Sequence, residues 1–295
     1  MALHDARCKI QDRYSFYECL TLEDEERQRR LLQDVRRAVQ EREFSLVYQP
    51  VVDAQTGTVS GFEALSRWNG SCHGPLSIER VIGLIELSGR GREFDFWVLE
   101  TACAAAAQWP SHLWVAVNMM ASQFSQPQTA ERILATLAHA GLDPSRLQIE
   151  VTETLDLQPD PNVYQAFQTL DQYGIRLVLD DFGTGFSVLS YLRLFPFSKI
   201  KLDRIFVQDL FQDSRSAAIV RNTIELAVDL GITVTAEGVS SLEHYHFLRT
   251  QGCAEVQGYF LGRPCPAEDL VWDPLPYATS ARTTADCDRS RIGFG

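Results

Sequence analysis

Apolar and polar positions along the chain follow two different periods. Short apolar runs of the strand type each follow a segment with helical spacing, and these runs are LWVAVN, LQIEVTE, IRLVLDD, SKIKLD, ITVTAEG and AEVQGY. Strands that alternate with helices are typical of βαβ units and a parallel sheet. Two extended runs come before them, FSLVYQPVVD and TVSGFEALSRW, and their short connection AQTG predicts a β-hairpin. The pattern therefore predicts an α/β protein, and a (β/α) barrel rather than an open sheet.

The same patterns predict one folded domain with a segment on either side. Residues 1–20 show no clear period and are assigned as an N-terminal extension. Residues 21–277 form the predicted barrel domain, and residues 278–295 form a polar, turn-rich C-terminal tail. Within the domain, residues 21–43 predict an amphipathic helix. Its apolar stripe consists of Leu31, Leu32, Val35 and Val39.

Composition limits the location and the partners of the protein. A chain of 295 residues with 45% apolar residues can bury a sizeable core. Its formal net charge of −12 and pI near 5.0 disfavour binding to DNA or RNA polymers, which requires basic patches. The seven cysteines are scattered without a CxxC pair, which is typical of reduced thiols in a cytoplasmic protein. Neither a signal peptide nor an apolar segment of membrane-spanning length is apparent, so no membrane partner is expected.

Polar side chains stand where the apolar strands give way to their loops. In a (β/α) barrel, the C-terminal ends of the strands converge on one mouth, where functional side chains lie. A purely local role as helix caps would not place these groups at the same end of every strand. We therefore expect the following side chains to lie together: Glu63, Asn118, Glu150, Asp180, Asp181, Lys201, Glu237 and Gln257.

The charge of this predicted mouth suggests a metal site. A group of five carboxylates opposed by Lys201 is stable only if several acids are protonated or divalent cations lie among them. Carboxylates with one amide suit Mg²⁺ or Mn²⁺ rather than zinc. The adjacent Asp180 and Asp181 could hold two ions, and paired metals activate water for attack at phosphorus. The simpler alternative for these aspartates is that they cap the next helix, with Gly183 and Gly185 forming the turn.

Lys201 also admits two interpretations. A lysine at the end of a barrel strand can form a Schiff base, but that chemistry needs a neutral amine with few charges nearby. Surrounding carboxylates would keep the amine protonated, which favours a role in orienting water or stabilising phosphate.

Seven sequence blocks carry a resemblance to a known family. The blocks occur in the order FEALSRW, VNMMASQF, IEVTET, DDFGTGFSVLSYL, IKLDRIFV, AEGV and QGYFLGRP. Over residues 44–266 the chain resembles the EAL-domain phosphodiesterases that act on cyclic-di-GMP. The resemblance implies a TIM-type (β/α)8 barrel with an antiparallel first strand. It also implies hydrolysis of cyclic-di-GMP to linear pGpG with two divalent cations, Mg²⁺ or Mn²⁺.

The resemblance further implies a role for each matched residue. One metal would be held by Glu63, Asn118, Glu150 and Asp180. The second would be held by Asp180, Asp181 and Glu237. Lys201 would position or deprotonate the attacking water and, with Glu237 and Gln257, complete the catalytic group. Contacts to the nucleotide would come from Gln49, Arg67 and Asp95. Ordering of the second metal site and of a homodimer contact would come from Glu153, Gly183 and Gly185.

Three positions depart from the family pattern. Ser240 stands where the family commonly has glutamate, Phe186 where tyrosine is usual, and Val188 where serine is usual. None of them is a direct metal ligand, so they bear on the rate more than on the type of reaction. Glu153 could alternatively be an acid in the first turn of a helix. The alternative function is a receptor or interaction module that binds the nucleotide without hydrolysing it.

Overall fold

A computed structural model describes residues 22–68, 76–152, 160–183 and 188–272, so the predicted N-terminal extension and C-terminal tail lie outside the described residues. Its strands close into one barrel in the order of the sequence, β1 to β8. The strands are β1 (Phe44–Asp53), β2 (Val59–Trp68), β3 (Trp114–Asn118), β4 (Leu147–Thr152), β5 (Arg176–Phe182), β6 (Phe197–Leu202), β7 (Thr233–Ala236) and β8 (Glu255–Gln257).

The first strand runs against the other seven. β1 pairs with β8 in antiparallel fashion, with Val51 opposite Gln257, whereas each pair from β2–β3 to β7–β8 is parallel. β1 and β2 are joined by a tight turn in which the Asp53 N–H donates to the Thr58 carbonyl over 2.9 Å. This confirms the predicted barrel with an antiparallel first strand. It also brings the ends of β2 to β8 to one mouth.

One helix precedes β1, and the others lie in the connections from β2 to β8. Several begin at a Ser or Asp whose side chain accepts a backbone N–H, as at Ser77, Asp160 and Asp213. The helices are α1 (Leu22–Glu41), α2 (Ile78–Leu87), α3 (Gly91–Ala106), α4 (Thr129–Ala140), α5 (Pro161–Gln172), α6 (Val188–Leu194), α7 (Arg204–Gln208), α8 (Ser214–Leu230) and α9 (Leu242–Thr250). The sequence pattern missed α7, because its five residues are too few to show a helical period.

The chain divides into two compact units. The smaller unit comprises described residues up to 45 and between 68 and 94, and in it Phe44 meets the Phe94 ring edge-on at 5.0 Å. The larger unit comprises residues 46–67 and the described residues from 95 onward. Its aromatic contacts include Phe62 against Trp109 at 5.2 Å. The assignment of residues 21–277 to a single domain stays a prediction.

Two further predictions concern cysteines and membranes. Cys103, Cys253 and Cys265 are free thiols, and the other four cysteines lie outside the described residues. In the part of the chain that the structure describes, no helix has both the length and the apolar character needed to cross a bilayer.

Candidate active site

Four carboxylates surround the ammonium group of Lys201 at the mouth of the barrel. The Nζ atom of Lys201 lies 2.7 Å from Glu237 Oε1 and 2.9 Å from Glu150 Oε2. It lies 3.3 Å from Glu63 Oε1 and 3.3 Å from Asp180 Oδ1. The five side chains come from β2, β4, β5 and β6 and from the residue after β7, with Glu63 in the middle of β2 rather than at its end. The structure thus brings together groups that are up to 174 positions apart in sequence, from Glu63 to Glu237.

Two amide side chains complete this cluster. Asn118 Nδ2 donates to Glu63 Oε1 over 2.9 Å and to Glu150 Oε2 over 3.2 Å. Gln257 Nε2 donates to the other oxygen of Glu63, Oε2, over 2.8 Å. The parallel register places Asn118 directly opposite Glu150, which accounts for their contact. Gln257 Oε1 is buried and has no hydrogen-bond partner in the described part of the chain.

The electrostatics of the cluster are unbalanced. Burial opposes the charge of Lys201, but the surrounding carboxylates outweigh burial and raise the pKa of Lys201 well above its usual value. Burial, only partly offset by Lys201, raises the pKa of Glu150 and Asp180 and raises the pKa of Glu237 to about 8. For Glu63, the effect of burial is overcome by Lys201 and by hydrogen bonds, so its pKa is lowered. One ammonium group is therefore too little positive charge for four acids.

The chemistry of the donors fits a hard divalent cation. Carboxylate oxygens with an amide oxygen are the ligands that Mg²⁺ and Mn²⁺ favour. The buried Oε1 of Gln257 is a further acceptor at the same place. Among the described residues, no set of three or more His, Cys, Asp or Glu side chains has the arrangement of a preformed metal centre. The ammonium group of Lys201 lies among the acids instead.

The end of β5 departs from a regular strand. The pairing of β5 with β6 shifts between Leu179 and Phe182, and Asp181 has a φ of 57°. The Asp181 N–H donates to Asp180 Oδ1 over 2.9 Å, and Asp181 is half-buried. Because a bulge interrupts the alternation of a strand, the two neighbouring aspartates need not point to opposite faces.

The glycine loop that follows β5 is only partly described. Gly183 has a φ of 102°, and a Cβ atom on it would lie 2.7 Å from the Phe206 ring. This backbone conformation and this close approach both require glycine. Gly185 and Glu153, the other residues predicted to order the loop and the dimer contact, lie outside the described residues.

The predicted nucleotide-binding residues lie on three different elements. Gln49 is buried in β1, and its Nε2 donates to the Gly262 carbonyl over 3.2 Å. Asp95 is buried in α3, and its Oδ2 accepts the Met120 N–H over 3.0 Å. Arg67 lies in β2, four residues after the site glutamate of that strand, and donates to the Ser66 carbonyl over 2.8 Å.

Two of the three departures from the family pattern, Ser240 and Val188, lie among the described residues. Ser240 Oγ lies 3.3 Å from His244 Nδ1, and the His244 ring stacks on Phe211 at 5.5 Å. Val188 is the first residue of α6, and Phe186 lies outside the described residues.

Sequence reasoning missed a second set of polar residues inside the barrel. Each of its members is buried and lies two positions before a residue of the mouth cluster, which is the group of Lys201, its four carboxylates, Asn118 and Gln257. The members of this second set are Gln148, Lys199, Thr235 and Glu255. Because side chains in a strand alternate between faces, residues two positions apart point the same way. The sequence therefore contained a signal for this set, because alternation assigns these polar residues to the barrel interior, where branched apolar residues are usual.

Comparison with known proteins decides the family. The profile of the family described as EAL domain matches residues 32–264. The chain belongs to the EAL domain family. Among EAL relatives, MucR of Pseudomonas aeruginosa, a bifunctional diguanylate cyclase/cyclic di-GMP phosphodiesterase, is 36% identical over 274 residues, which are 92% of this chain and 40% of MucR. The cyclic di-GMP phosphodiesterase NbdA of the same organism is 33% identical over 274 residues, which are 92% of this chain and 35% of NbdA.

Solved EAL structures agree with this assignment. A PaMucR phosphodiesterase structure with c-di-GMP superposes with a TM-score of 0.77 at 36% identity, covering 82% of this chain and 100% of that one. The EAL enzyme Bd1971, bound to cAMP and cyclic-di-GMP, gives a TM-score of 0.78 at 28% identity, covering 90% and 73%. The chain spans 29% to 40% of the length of the first five curated relatives that it matches.

Proposed function

We propose that this protein is a metal-dependent phosphodiesterase that hydrolyses cyclic-di-GMP to linear pGpG. The observation that carries the proposal is the cluster of four carboxylates and two amides around Lys201 at the mouth of an EAL barrel. Relatives named as cyclic di-GMP phosphodiesterases support the choice of substrate.

In this proposal the mouth cluster binds two divalent cations, Mg²⁺ or Mn²⁺. One would be held by Glu63, Asn118, Glu150 and Asp180, and the other by Asp180, Asp181 and Glu237. When bound, two such cations lower the pKa of a water molecule and stabilise the charge that develops at phosphorus. The raised pKa values of Glu150, Asp180 and Glu237 support the assignment, because Lys201, which contacts all three acids, supplies only one positive charge for them.

Lys201 and Gln257 would orient the reacting groups. The raised pKa of Lys201 keeps its ammonium group protonated at neutral pH, so it donates hydrogen bonds to the attacking water or to phosphate oxygens. This favours positioning over proton abstraction, since only a neutral amine can accept a proton. Gln257 Oε1, which is buried and accepts no hydrogen bond from the described residues, offers an acceptor for the same water.

The nucleotide would contact residues around the mouth. Arg67 carries the planar donor fork that suits phosphate oxygens. The side-chain amide of Gln49 donates through Nε2 to the Gly262 carbonyl, and its Oε1 could accept a hydrogen bond from a base. The Asp95 carboxylate binds the backbone at Met120, which suits a role in shaping that side of the site.

Assembly and location are parts of the same proposal. We expect a homodimer, with Glu153, Gly183 and Gly185 ordering the contact and the second metal site. Sedimentation analysis of the purified protein tests the dimer. A cytoplasmic location stays a prediction, and fractionation of cells tests it.

A hydrolysis assay tests the proposed reaction against the alternative of a nucleotide receptor. Purified protein is incubated with cyclic-di-GMP and Mn²⁺ or Mg²⁺, and pGpG is measured by chromatography. We expect pGpG with either cation, loss of product with a chelator, and recovery when the cation is restored. Glu150→Gln should be inactive, whereas Glu131→Gln, a change at an exposed carboxylate on α4, should match the unmodified protein. Nucleotide binding without product under every condition would favour the receptor.

A further inference from the structure

A second ion pair lies inside the barrel beneath the mouth cluster. Lys199 Nζ and Glu255 Oε2 are in direct contact, and their side chains are only 3% and 11% exposed. Lys199 lies on β6 two positions before Lys201, and Glu255 lies on β8 two positions before Gln257. Both side chains therefore face the barrel interior, one step below the candidate active site.

Thr235 and Trp114 contact this pair. The Thr235 hydroxyl donates to Glu255 Oε2 over 2.8 Å, so the oxygen that contacts Lys199 is itself anchored. On the other side, Lys199 Nζ lies 4.2 Å from the centre of the Trp114 ring, a cation–π contact. The ring can occupy this place because residue 61 is glycine, and a Cβ atom there would lie 2.2 Å from Trp114.

Stability alone does not account for such a pair. Interior layers of these barrels are usually filled by branched apolar side chains. A buried ion pair is also weak evidence for stability, because desolvation can exceed the Coulombic gain. A role linked to the charges above it is a better explanation.

The charge of Lys199 interacts with one carboxylate of the mouth cluster. Burial lowers the pKa of Lys199, and the charges that oppose this effect are those of Glu255 and also Glu150 of the mouth cluster. Released from Glu255, the ammonium group could turn towards Glu150 on its flexible stem. It would then add a second cationic side chain to carboxylates that already contact Lys201.

We propose that Glu255, anchored by Thr235, is a positioning residue that holds the Lys199 ammonium group away from the mouth carboxylates and so keeps them available to divalent cations. This inference rests on the proposed function, because it requires cations to bind at the mouth.

Mn²⁺ affinity in a set of four proteins tests this inference. The set consists of the unmodified protein, Glu255→Gln, Lys199→Met and the double variant, with Mn²⁺ titrated by calorimetry. Glu255→Gln should bind Mn²⁺ roughly tenfold more weakly, a typical cost for losing an outer-shell partner. Lys199→Met should bind at least as tightly as the unmodified protein. The double variant should recover the affinity lost in Glu255→Gln, because the competing ammonium group is gone.

Kinetics separate competition from a general structural defect. Raising Mn²⁺ should restore kcat of Glu255→Gln with little change in KM for the nucleotide, which a distorted barrel would not allow. If Glu255→Gln does not fold, Thr235→Val carries the test, since it retains both charges and removes only the anchor. We expect it to weaken Mn²⁺ binding, and Lys199→Met to reverse that loss.

The outcomes distinguish this inference from the proposed function. Equal Mn²⁺ affinity in all variants, or a double variant as weak as Glu255→Gln, would overturn the inference and leave the phosphodiesterase proposal in place. An unmodified protein that binds no Mn²⁺ would overturn both.

Discussion

The ammonium nitrogen of Lys201 lies 2.7 Å from a carboxylate oxygen of Glu237. Lys201 lies near the end of β6, and Glu237 directly follows the neighbouring strand β7. Three more carboxylates lie within 3.3 Å of the same nitrogen. The lysine and any divalent cations must therefore share one set of acids. Cation binding and lysine position are linked for this reason.

Lys201→Met should separate cation binding from hydrolysis. The change removes the donor that orients water or phosphate, so we expect turnover to fall by roughly 10²- to 10⁴-fold. Mn²⁺ should bind at least as tightly, because a competing charge has been removed from Glu150 and Glu237. Rates of pGpG formation and calorimetric titration measure the two effects. Turnover equal to that of the unmodified protein would exclude this role for Lys201.

Glu63→Ala should abolish hydrolysis without unfolding the barrel. Glu63 accepts hydrogen bonds from Asn118 and Gln257 and contacts Lys201, so its loss removes a proposed ligand and disperses three partners. We expect a loss of several orders of magnitude, as for residues that act as a unit. Product formation and thermal unfolding are compared with Glu131→Ala. Unchanged turnover would contradict the assignment of Glu63 as a metal ligand.

Gly61→Ala should destabilise the barrel strongly. A Cβ atom on Gly61 would lie 2.2 Å from the Trp114 ring and 2.5 Å from the Trp114 carbonyl oxygen, which is backbone and cannot turn away. Overpacking of this kind costs about 1–3 kcal/mol in the free energy of unfolding. Gly83→Ala is the control, because Gly83 lies within α2 and a Cβ atom on it would meet no side chain or neighbouring element of the described residues within 4 Å. The control should be stabilised by up to about 1 kcal/mol through helix propensity, and urea unfolding would measure both variants. A Gly61→Ala protein as stable as the unmodified one would show that the Trp114 region can rearrange.

His244→Phe should reduce the loss of stability at acidic pH. Burial lowers the pKa of His244, with Glu243 opposing it, so the ring binds a proton less readily in the folded protein than in the unfolded chain. The unfolded chain then binds more protons than the folded one, and stability falls as the pH drops through about 6.5. Phenylalanine keeps the stacking on Phe211 without titrating.

Urea unfolding of both proteins at about pH 7.5 and about pH 5.5 tests this expectation. Because both proteins contain the same acid cluster, its contribution to the pH dependence of stability cancels in the comparison. An identical pH dependence in the two proteins would show that His244 does not contribute.

The order and type of most elements could be predicted from the sequence. Strand runs such as IRLVLDD and helical stripes such as the one from Leu31 to Val39 carry their periods locally. Convergence of Glu63, Glu150 and Lys201 could also be anticipated, because parallel strands in a barrel end at one mouth. The five-residue helix α7 and the bulge near Asp181 could not, since short helices and pairing shifts have no period of their own.

From the sequence alone, local periodicity determined the fold class and the set of polar groups that close the apolar runs, and the resemblance carried by the motifs implied the antiparallel first strand. Only the tertiary structure decided which groups touch. It placed Lys201 among four acids and paired Lys199 with Glu255 beneath them. Two lysines two positions apart on one strand are equivalent in the sequence pattern. Their different partners follow from barrel closure and register, which place β7 beside β6 and β8 beside β7 at fixed heights.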